Sequence, residues 1–117
     1  MTYKDIYKLP FNVPESTGGI YAFSSNGIKV FTAFSDESKM HMKNIVNILN
    51  GEHYACKYIK DEVTVSGAKL TVKGNPILIR GWGKITGKGV GGLGIDAKEA
   101  AKLQDEFIKW LVDEITE

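Results

Sequence analysis

Apolar residues recur with the period of an α-helix in two segments of the chain. In the first segment, four apolar residues share that spacing: Met42, Ile45, Val46 and Leu49. They would lie on one face of a helix. Ser35 or Asp36 can cap the start of this helix, and Asn50-Gly51 supplies a left-handed stop after it. The spacing therefore predicts a helix over residues 36–50.

The second helical segment has a wider apolar face and lies at the C-terminal end of the sequence. Its main stripe consists of Ala100, Leu103, Phe107, Trp110 and Leu111. Asp96 and Glu99 have the spacing of a capping box, in which each side chain accepts a hydrogen bond from the other residue's backbone amide. The pattern predicts a helix over residues 96–116. Because the apolar face is wide, we expect it to cover a sheet and a further surface, such as a second subunit.

Other parts of the chain alternate between apolar and polar residues, with the period of two that is typical of β-strands. Two apolar runs, 20–23 and 28–34, flank Asn26-Gly27, a strong hairpin signal because both residues tolerate positive φ. Four further strand-like segments follow the first helix: residues 54–59, 63–65, 70–72 and 77–82. Short turns at Ser66-Gly67 and 73–76 predict an antiparallel meander.

The run Ile77–Trp82 is apolar on both faces apart from Arg80, as the central strand of a sheet would be. Residues 1–18 contain Pro10 and Pro14, and we expect them to form an extended arm over the core. The chain, residues 1–117, is therefore predicted to be one α+β domain. In it, an antiparallel sheet of about five or six strands packs against two helices.

Length and composition narrow the class of protein. The 117 residues fit one domain, and 43% of them are hydrophobic, which is enough to bury a core. No apolar run approaches the roughly 18 residues of a membrane span, and no charged-then-apolar leader opens the chain. We expect a cytoplasmic protein without a membrane partner. One cysteine and two histidines favour neither a disulfide within the chain nor a metal site, and no cofactor is expected.

Charge is unevenly distributed although the net charge is only +1. Residues 57–88 contain seven basic and two acidic residues, whereas residues 96–117 contain seven acidic residues and three lysines. Two explanations stay open: the regions face each other within the fold or across a dimer, or the basic region meets an anion. The charge density is below that of a nucleic-acid-binding surface, so nucleic acid is not expected as a partner.

Seven of the thirteen glycines lie between Gly81 and Gly94, in a segment (residues 81–95) that joins a predicted strand to the last predicted helix. Glycine-rich backbone before a helix can expose amide donors to phosphate or carboxylate. Gly87–Gly92 matches the letters of a dinucleotide-binding motif, but the second strand and the acidic residue of that motif are missing. The segment is either a flexible or structural connection or a loop that contacts a ligand.

The candidate ligand site groups residues in and beside this segment: Arg80, Trp82, Lys84, Thr86 and Lys88. Arg80 is the only arginine, and its planar guanidinium suits a phosphate or carboxylate. Alternation along a strand would put Trp82 on the same face, where its ring could stack. The alternative is that Arg80 pairs with an acid of the last helix, such as Asp105 or Glu106.

Other reactive side chains form no catalytic constellation by their spacing. His53 and Cys56 are three residues apart, so on a strand their side chains would point to opposite faces, and we expect a buried cysteine and surface histidines. The protein is therefore expected not to be an enzyme. A different possibility is contact with a partner protein, for which Phe107 and Trp110 on the last helix are the candidate anchors.

Four short motifs follow one another along the chain: Asn26-Gly27, Ile45–Glu52, Ile79–Gly87 and Ala100–Val112. In this order they resemble motifs of short proteins encoded by bacteriophages and prophages, most of them without an assigned function. The size and the order of strands and helices are also similar to those of phage anti-Thoeris sponges, oligomers that sequester a cyclic ADP-ribose signal. The resemblance implies a phage accessory protein with an anti-defence role in the host cytoplasm.

These observations favour an oligomer that binds a small anionic or nucleotide ligand near Arg80 and the glycine-rich segment, without catalysis. The runner-up is a protein–protein inhibitor of a host factor that uses the last helix. A third possibility is a structural protein or an enzyme of unassigned activity.

Overall fold

The computed structural model describes residues 2–79 and 94–117. In these ranges the helices are α1 (Tyr3–Ile6), α2 (Asp36–Leu49) and α3 (Ala97–Ile115). The strands are β1 (Tyr21–Phe23), β2 (Lys29–Ala33), β3 (Val63–Ser66), β4 (Lys69–Val72) and β5 (Asn75–Ile79). All five strands belong to one antiparallel sheet in the order β1-β2-β5-β4-β3. The predicted α+β class, with about five or six strands, is confirmed.

The two long helices begin and end close to their predicted limits because their caps are local. The Ser35 hydroxyl accepts a hydrogen bond from the Ser38 amide at 3.1 Å, and α2 stops before Gly51, whose φ is +82°. At the start of α3, the Asp96 carboxylate accepts from the Glu99 amide at 2.9 Å. Each cap supplies an acceptor to an amide that has no partner inside its own helix.

The sheet combines a hairpin with a three-stranded meander. The turn at Asn26-Gly27 joins β1 to β2, and two further tight turns join β3, β4 and β5. Lys73 and Gly74 both have positive φ, +49° and +82°, which is the two-residue turn that fits the twist of a hairpin. β5 then pairs with β2 and lies in the centre of the sheet, as the apolar run predicted.

The core lies between one face of the sheet and the helices α2 and α3. Sheet residues on that face are buried, among them Ala22, Phe31, Leu70, Val72, Ile77 and Ile79. α2 packs against β2 and β5. α3 reaches the same face, since the ring of Phe107 lies 6.2 Å from that of Phe31. No helix in the two described ranges is long and apolar enough to cross a membrane.

Residues 54–59, predicted as a strand, are not one in the structure, and only Tyr58 forms an isolated bridge, to Thr116. The reason is a side chain that the strand pattern does not reveal. Asn44 on α2 donates to the Cys56 carbonyl at 2.8 Å and accepts from the Cys56 amide at 3.3 Å. These backbone groups are thus paired with a helix side chain rather than with a neighbouring strand.

Residues 2–18 differ from the predicted extended arm at both ends. α1 is a single helical turn, in which the Thr2 amide donates to the Asp5 carboxylate at 2.8 Å, and Glu15–Thr17 is a short 3₁₀ turn. The arm is extended near Asn12, which bridges to Phe23 of β1. Packing explains the helical turn, because Ile6 at its end is buried in the core.

Candidate functional site

The sequence-predicted ligand site cannot be placed in the fold. Its residues all lie outside the described ranges: Arg80, Trp82, Lys84, Thr86 and Lys88. The same is true of the predicted 81–95 segment except Gly94 and Ile95. The structure gives the two elements that flank this segment, the central strand β5, which ends at Ile79, and α3, which is capped by Asp96.

The assignment of Phe107 as an anchor for a partner protein is wrong, because its side chain is 0% exposed. Its ring stacks on Tyr7 at 4.1 Å and 15° and meets the edge of Phe11 at 6.2 Å. Trp110, the second predicted anchor, is only partly buried. The wide apolar stripe of α3 therefore divides into a core side and a side that reaches the surface.

A pocket of about 280 Å³ lies where α1 meets α3. We call it the aromatic pocket, and it is lined by Tyr3, Lys4, Tyr7, Leu9 and Trp110. Tyr3 and Tyr7 are four residues apart, at the two ends of the α1 turn. The Tyr3 ring lies 5.8 Å from that of Trp110, which itself lies 5.9 Å from Phe107. The pocket is thus the outer end of a continuous group of aromatic rings.

The aromatic pocket combines apolar surface with a positive charge, and one of the tyrosines that line it has a buried hydroxyl. Tyr7 is 3% exposed, and its hydroxyl has no hydrogen-bond partner within the described residues. Burial raises the pKa of Tyr7 far above its usual value of 10, so the hydroxyl keeps its proton. Lys4 brings an ammonium group to the exposed side of the pocket. These groups suit a ring that carries an acceptor or a negative charge.

A second polar cluster holds residues 54–59 against α2. The His41 Nδ1 atom lies 2.8 Å from the Tyr58 hydroxyl, which accepts a hydrogen bond from Asn44 at 3.0 Å. The hydroxyl oxygen that accepts from Asn44 can also donate to His41 or accept from it, so the tautomer of His41 sets the direction of this hydrogen bond. His41 is buried, which corrects the expectation of surface histidines. This cluster is a structural network of polar groups.

The surroundings of His41 set the direction of its titration. Burial lowers the pKa of His41 below its usual 6.5, and the nearby charge of Lys73 lowers it further. The carboxylates of Glu37 and Glu62 act in the opposite direction without reversing the change. Burial also raises the pKa of Tyr58, so its hydroxyl keeps its proton near neutral pH.

We expect the free energy of unfolding to fall as the solution is acidified from about pH 7.5 to about pH 5.5. The unfolded chain, with His41 at its usual pKa of 6.5, binds a proton more readily than the folded protein does. Urea unfolding at a series of pH values measures the slope.

His41→Gln should flatten this pH dependence, and the matched control His53→Gln should retain it, because His53 is exposed. Asp5 and Glu62 do not contribute to the slope in this pH range. Their pKa values are lowered from 3.8 and 4.5, so their stabilising effect is lost only in more acidic solution. An unchanged slope in His41→Gln would contradict the assignment.

The remaining reactive groups do not converge in the described ranges. Cys56 is exposed, contrary to the expectation of a buried cysteine, and His53 is exposed as well. Across residues 2–79 and 94–117, no group of three or more His, Cys, Asp and Glu side chains is arranged to hold a metal ion. Within the described ranges, the aromatic pocket is therefore the candidate functional site.

Sequence reasoning found Trp110 but missed the rest of this pocket. One signal was present: Tyr3, Ile6 and Tyr7 have helical spacing, and Thr2 and Asp5 can close the first turn. Pro10 and Pro14, which follow in the sequence, instead led to the prediction of an extended arm. The chain matches no protein-family model, no curated protein and no solved structure, so its function is inferred from the chemistry of this site.

Proposed function

We propose that this protein acts by binding and that its ligand is a small anionic molecule that contains a ring, as a nucleotide does. The observation that carries the proposal is the aromatic pocket, where aromatic rings, a buried hydroxyl and a lysine meet. Stacking of a base on an aromatic side chain contributes about 1–3 kcal/mol. The Tyr7 hydroxyl would donate to an acceptor on the ring, and Lys4 would attract the negative charge.

In this proposal Arg80 and the glycine-rich segment hold the anionic group of the ligand. That part is based on the sequence, because these residues lie outside the described ranges. β5 leads into this segment and ends at Ile79, which is paired with Phe31. The Phe31 ring lies 6.2 Å from Phe107, which stacks on Tyr7. These contacts all belong to the buried core.

The other predicted site residues have subsidiary roles in the same proposal. Trp82 would stack beside the guanidinium, Thr86 would offer a hydroxyl, and Lys84 and Lys88 would add attraction over a longer range. A protein that binds such a ligand without converting it lowers the free concentration of that ligand. We therefore extend the proposal to sequestration in the host cytoplasm, the role implied by the resemblance to phage-encoded sponges.

Thermal-shift measurements with AMP, NAD and cyclic dinucleotides test this proposal. Ligand at about 100 times its Kd stabilises a protein by about 2.7 kcal/mol, so Tm should rise by several degrees. Adenosine and pyrophosphate, tested separately, should each give a smaller shift. Chromatography of the recovered ligand should show it unchanged if the protein binds without catalysis.

Variants separate the two halves of the site. Trp110→Ala should remove most of the shift with every ring-containing ligand, whereas Arg80→Ala should reduce the nucleotide shift to that of adenosine. Lys57→Ala changes an exposed lysine outside the aromatic pocket and is the matched charge control. The proposal fails if no ligand raises Tm, or if both site variants respond as the unchanged protein does.

The partial exposure of Trp110 favours a second candidate function, inhibition of a host protein through the last helix. With Phe107 buried, Trp110 is the one predicted anchor with accessible surface, and the aromatic pocket beside it could receive an apolar side chain. Absence of every ligand shift, together with binding of a host protein that depends on Trp110, would favour this candidate.

A further inference from the structure

Among the described strands, β3 pairs only with β4 and so forms one edge of the sheet. Three consecutive residues of β3 are exposed: Thr64, Val65 and Ser66. Val65 keeps 38% of its surface exposed although it is apolar. An edge strand of this kind presents backbone amide and carbonyl groups to which another strand can bond.

The register of β3 shows which of these groups point outwards. The Lys73 amide donates to the Glu62 carbonyl at 2.8 Å, directly before the first β3–β4 pair, Val63 with Val72. Bonded and non-bonded pairs alternate between antiparallel strands, so the backbone groups of Val63 and Val65 point away from β4. The Val63 amide already donates to the Lys60 carbonyl. The Val65 amide is therefore the donor that faces the open edge, and the carbonyls of Val63 and Val65 are the acceptors.

An open groove of about 460 Å³ runs between this edge and α3. We call it the β3–α3 groove, and it is lined by Val63, Val65, Ile108, Lys109, Val112 and Asp113. Four of these side chains are apolar. The other two, Lys109 and Asp113, are exposed, opposite in charge and one helical turn apart on α3.

A second copy of this chain satisfies both features at once. If two β3 strands pair antiparallel about a twofold axis at Thr64, the Val65 amide of each copy donates to the Val63 carbonyl of the other. The side chains of both valines face α3, so the same axis brings the two α3 helices together, antiparallel, on one side of the joined sheets. Lys109 of each copy then lies opposite Asp113 of the other. In an isologous interface the same surface of each copy meets the other, so the surface must be complementary to itself, and this pair of opposite charges is.

We propose that the protein forms this twofold dimer, in which β3 strands join the two sheets and each copy closes the β3–α3 groove of the other. The proposal does not depend on the ligand, because the groove and the aromatic pocket have no residue in common. It also accounts for the outer side of the apolar stripe of α3, where the partly buried Val112 lines the groove beside the buried Ile108.

Light scattering after size-exclusion chromatography, and sedimentation velocity over a range of concentrations, test the dimer. Lys109→Glu and Asp113→Lys should each weaken dimerisation by about tenfold or more, because each places like charges opposite each other. Mixing these two variants should restore a dimer, since the introduced glutamate of one copy then faces the introduced lysine of the other. A double variant that carries both substitutions should dimerise for the same reason. Lys102→Glu alters an exposed lysine on the same helix that does not line the groove, and it should remain dimeric.

Val65→Pro tests the strand pairing separately. It removes the outward amide without removing a β3–β4 bond, so circular dichroism should show a folded monomer. A protein that is monomeric at about 100 µM would overturn the proposal, and so would a dimer that neither charge variant weakens. Recovery of the dimer only in the mixture or the double variant supports the reciprocal contact.

Discussion

Replacing Phe107 by alanine should lower the free energy of unfolding by about 3–5 kcal/mol, the usual cost of removing a fully buried phenylalanine. The ring has no exposed surface and packs against aromatic side chains from outside α3, those of Tyr7, Phe11 and Phe31. They lie at the end of α1, in the arm that follows it and in the sheet. A cavity at this point would therefore weaken the packing of the end of α1, the arm and the sheet against α3 at the same time. Urea unfolding followed by circular dichroism measures the loss.

Phe34→Ala is the matched control, because Phe34 is 60% exposed and its removal should change stability by less than about 0.5 kcal/mol. If Phe107→Ala is too unstable to measure, Phe107→Leu should give a smaller loss and preserve the comparison. Equal effects at the two positions would show that Phe107 does not lie in the core. They would also return it to the list of partner anchors.

The elements that could be predicted from sequence are those fixed by neighbouring residues. Ser35 and Asp96 each cap a helix within three residues of their own position, so the capping signals and the apolar period agree. The hairpin turns at Asn26-Gly27 and Lys73-Gly74 are equally local. Once these short connections were known, an antiparallel sheet followed, and only its order required long-range contacts.

The errors arose where a distant residue decides the outcome. Residues 54–59 alternate as a strand would, but Asn44, on a helix more than ten positions earlier, bonds to the backbone of Cys56. Phe107 and Trp110 are both apolar and three residues apart on one helix. The sequence does not distinguish the core side from the surface side when the stripe is this wide.

The aromatic pocket could not be predicted because one of its walls is a single helical turn. So short a helix is not stable by itself and forms here because Ile6 and Tyr7 are buried against the core. Without α1, Tyr3 and Tyr7 are scattered aromatic residues in an arm that contains prolines. The Tyr7 hydroxyl has no hydrogen-bond partner in the part of the chain that the structure describes, and this too is a property of the packed structure, since it depends on what surrounds the ring.

Asn50→Ala should lower the free energy of unfolding by about 1–3 kcal/mol and release the N-terminal arm. The Asn50 side chain accepts from the Phe11 amide and donates to the Phe11 carbonyl, both at 2.8 Å. It thus bonds to this residue as a neighbouring strand would, and it holds the arm to the end of α2. Asn47→Ala is the control, because no side-chain hydrogen bond joins Asn47 to another described residue.

Hydrogen exchange at the Phe11 amide distinguishes release of the arm from a general loss of stability. In Asn50→Ala this amide should exchange much faster, while exchange of amides in β5, at the centre of the sheet, should change only as far as global unfolding does. Asn50→Asp keeps the acceptor and loses the donor, so the amide of Phe11 should retain more protection than in Asn50→Ala.

Tyr3, Tyr7 and Leu9 all precede Phe11, so release of the arm should also disrupt the aromatic pocket that these residues line. Asn50→Ala should then weaken the proposed ligand binding although Asn50 does not line that pocket, and unchanged binding would show that the arm stays in place without this contact.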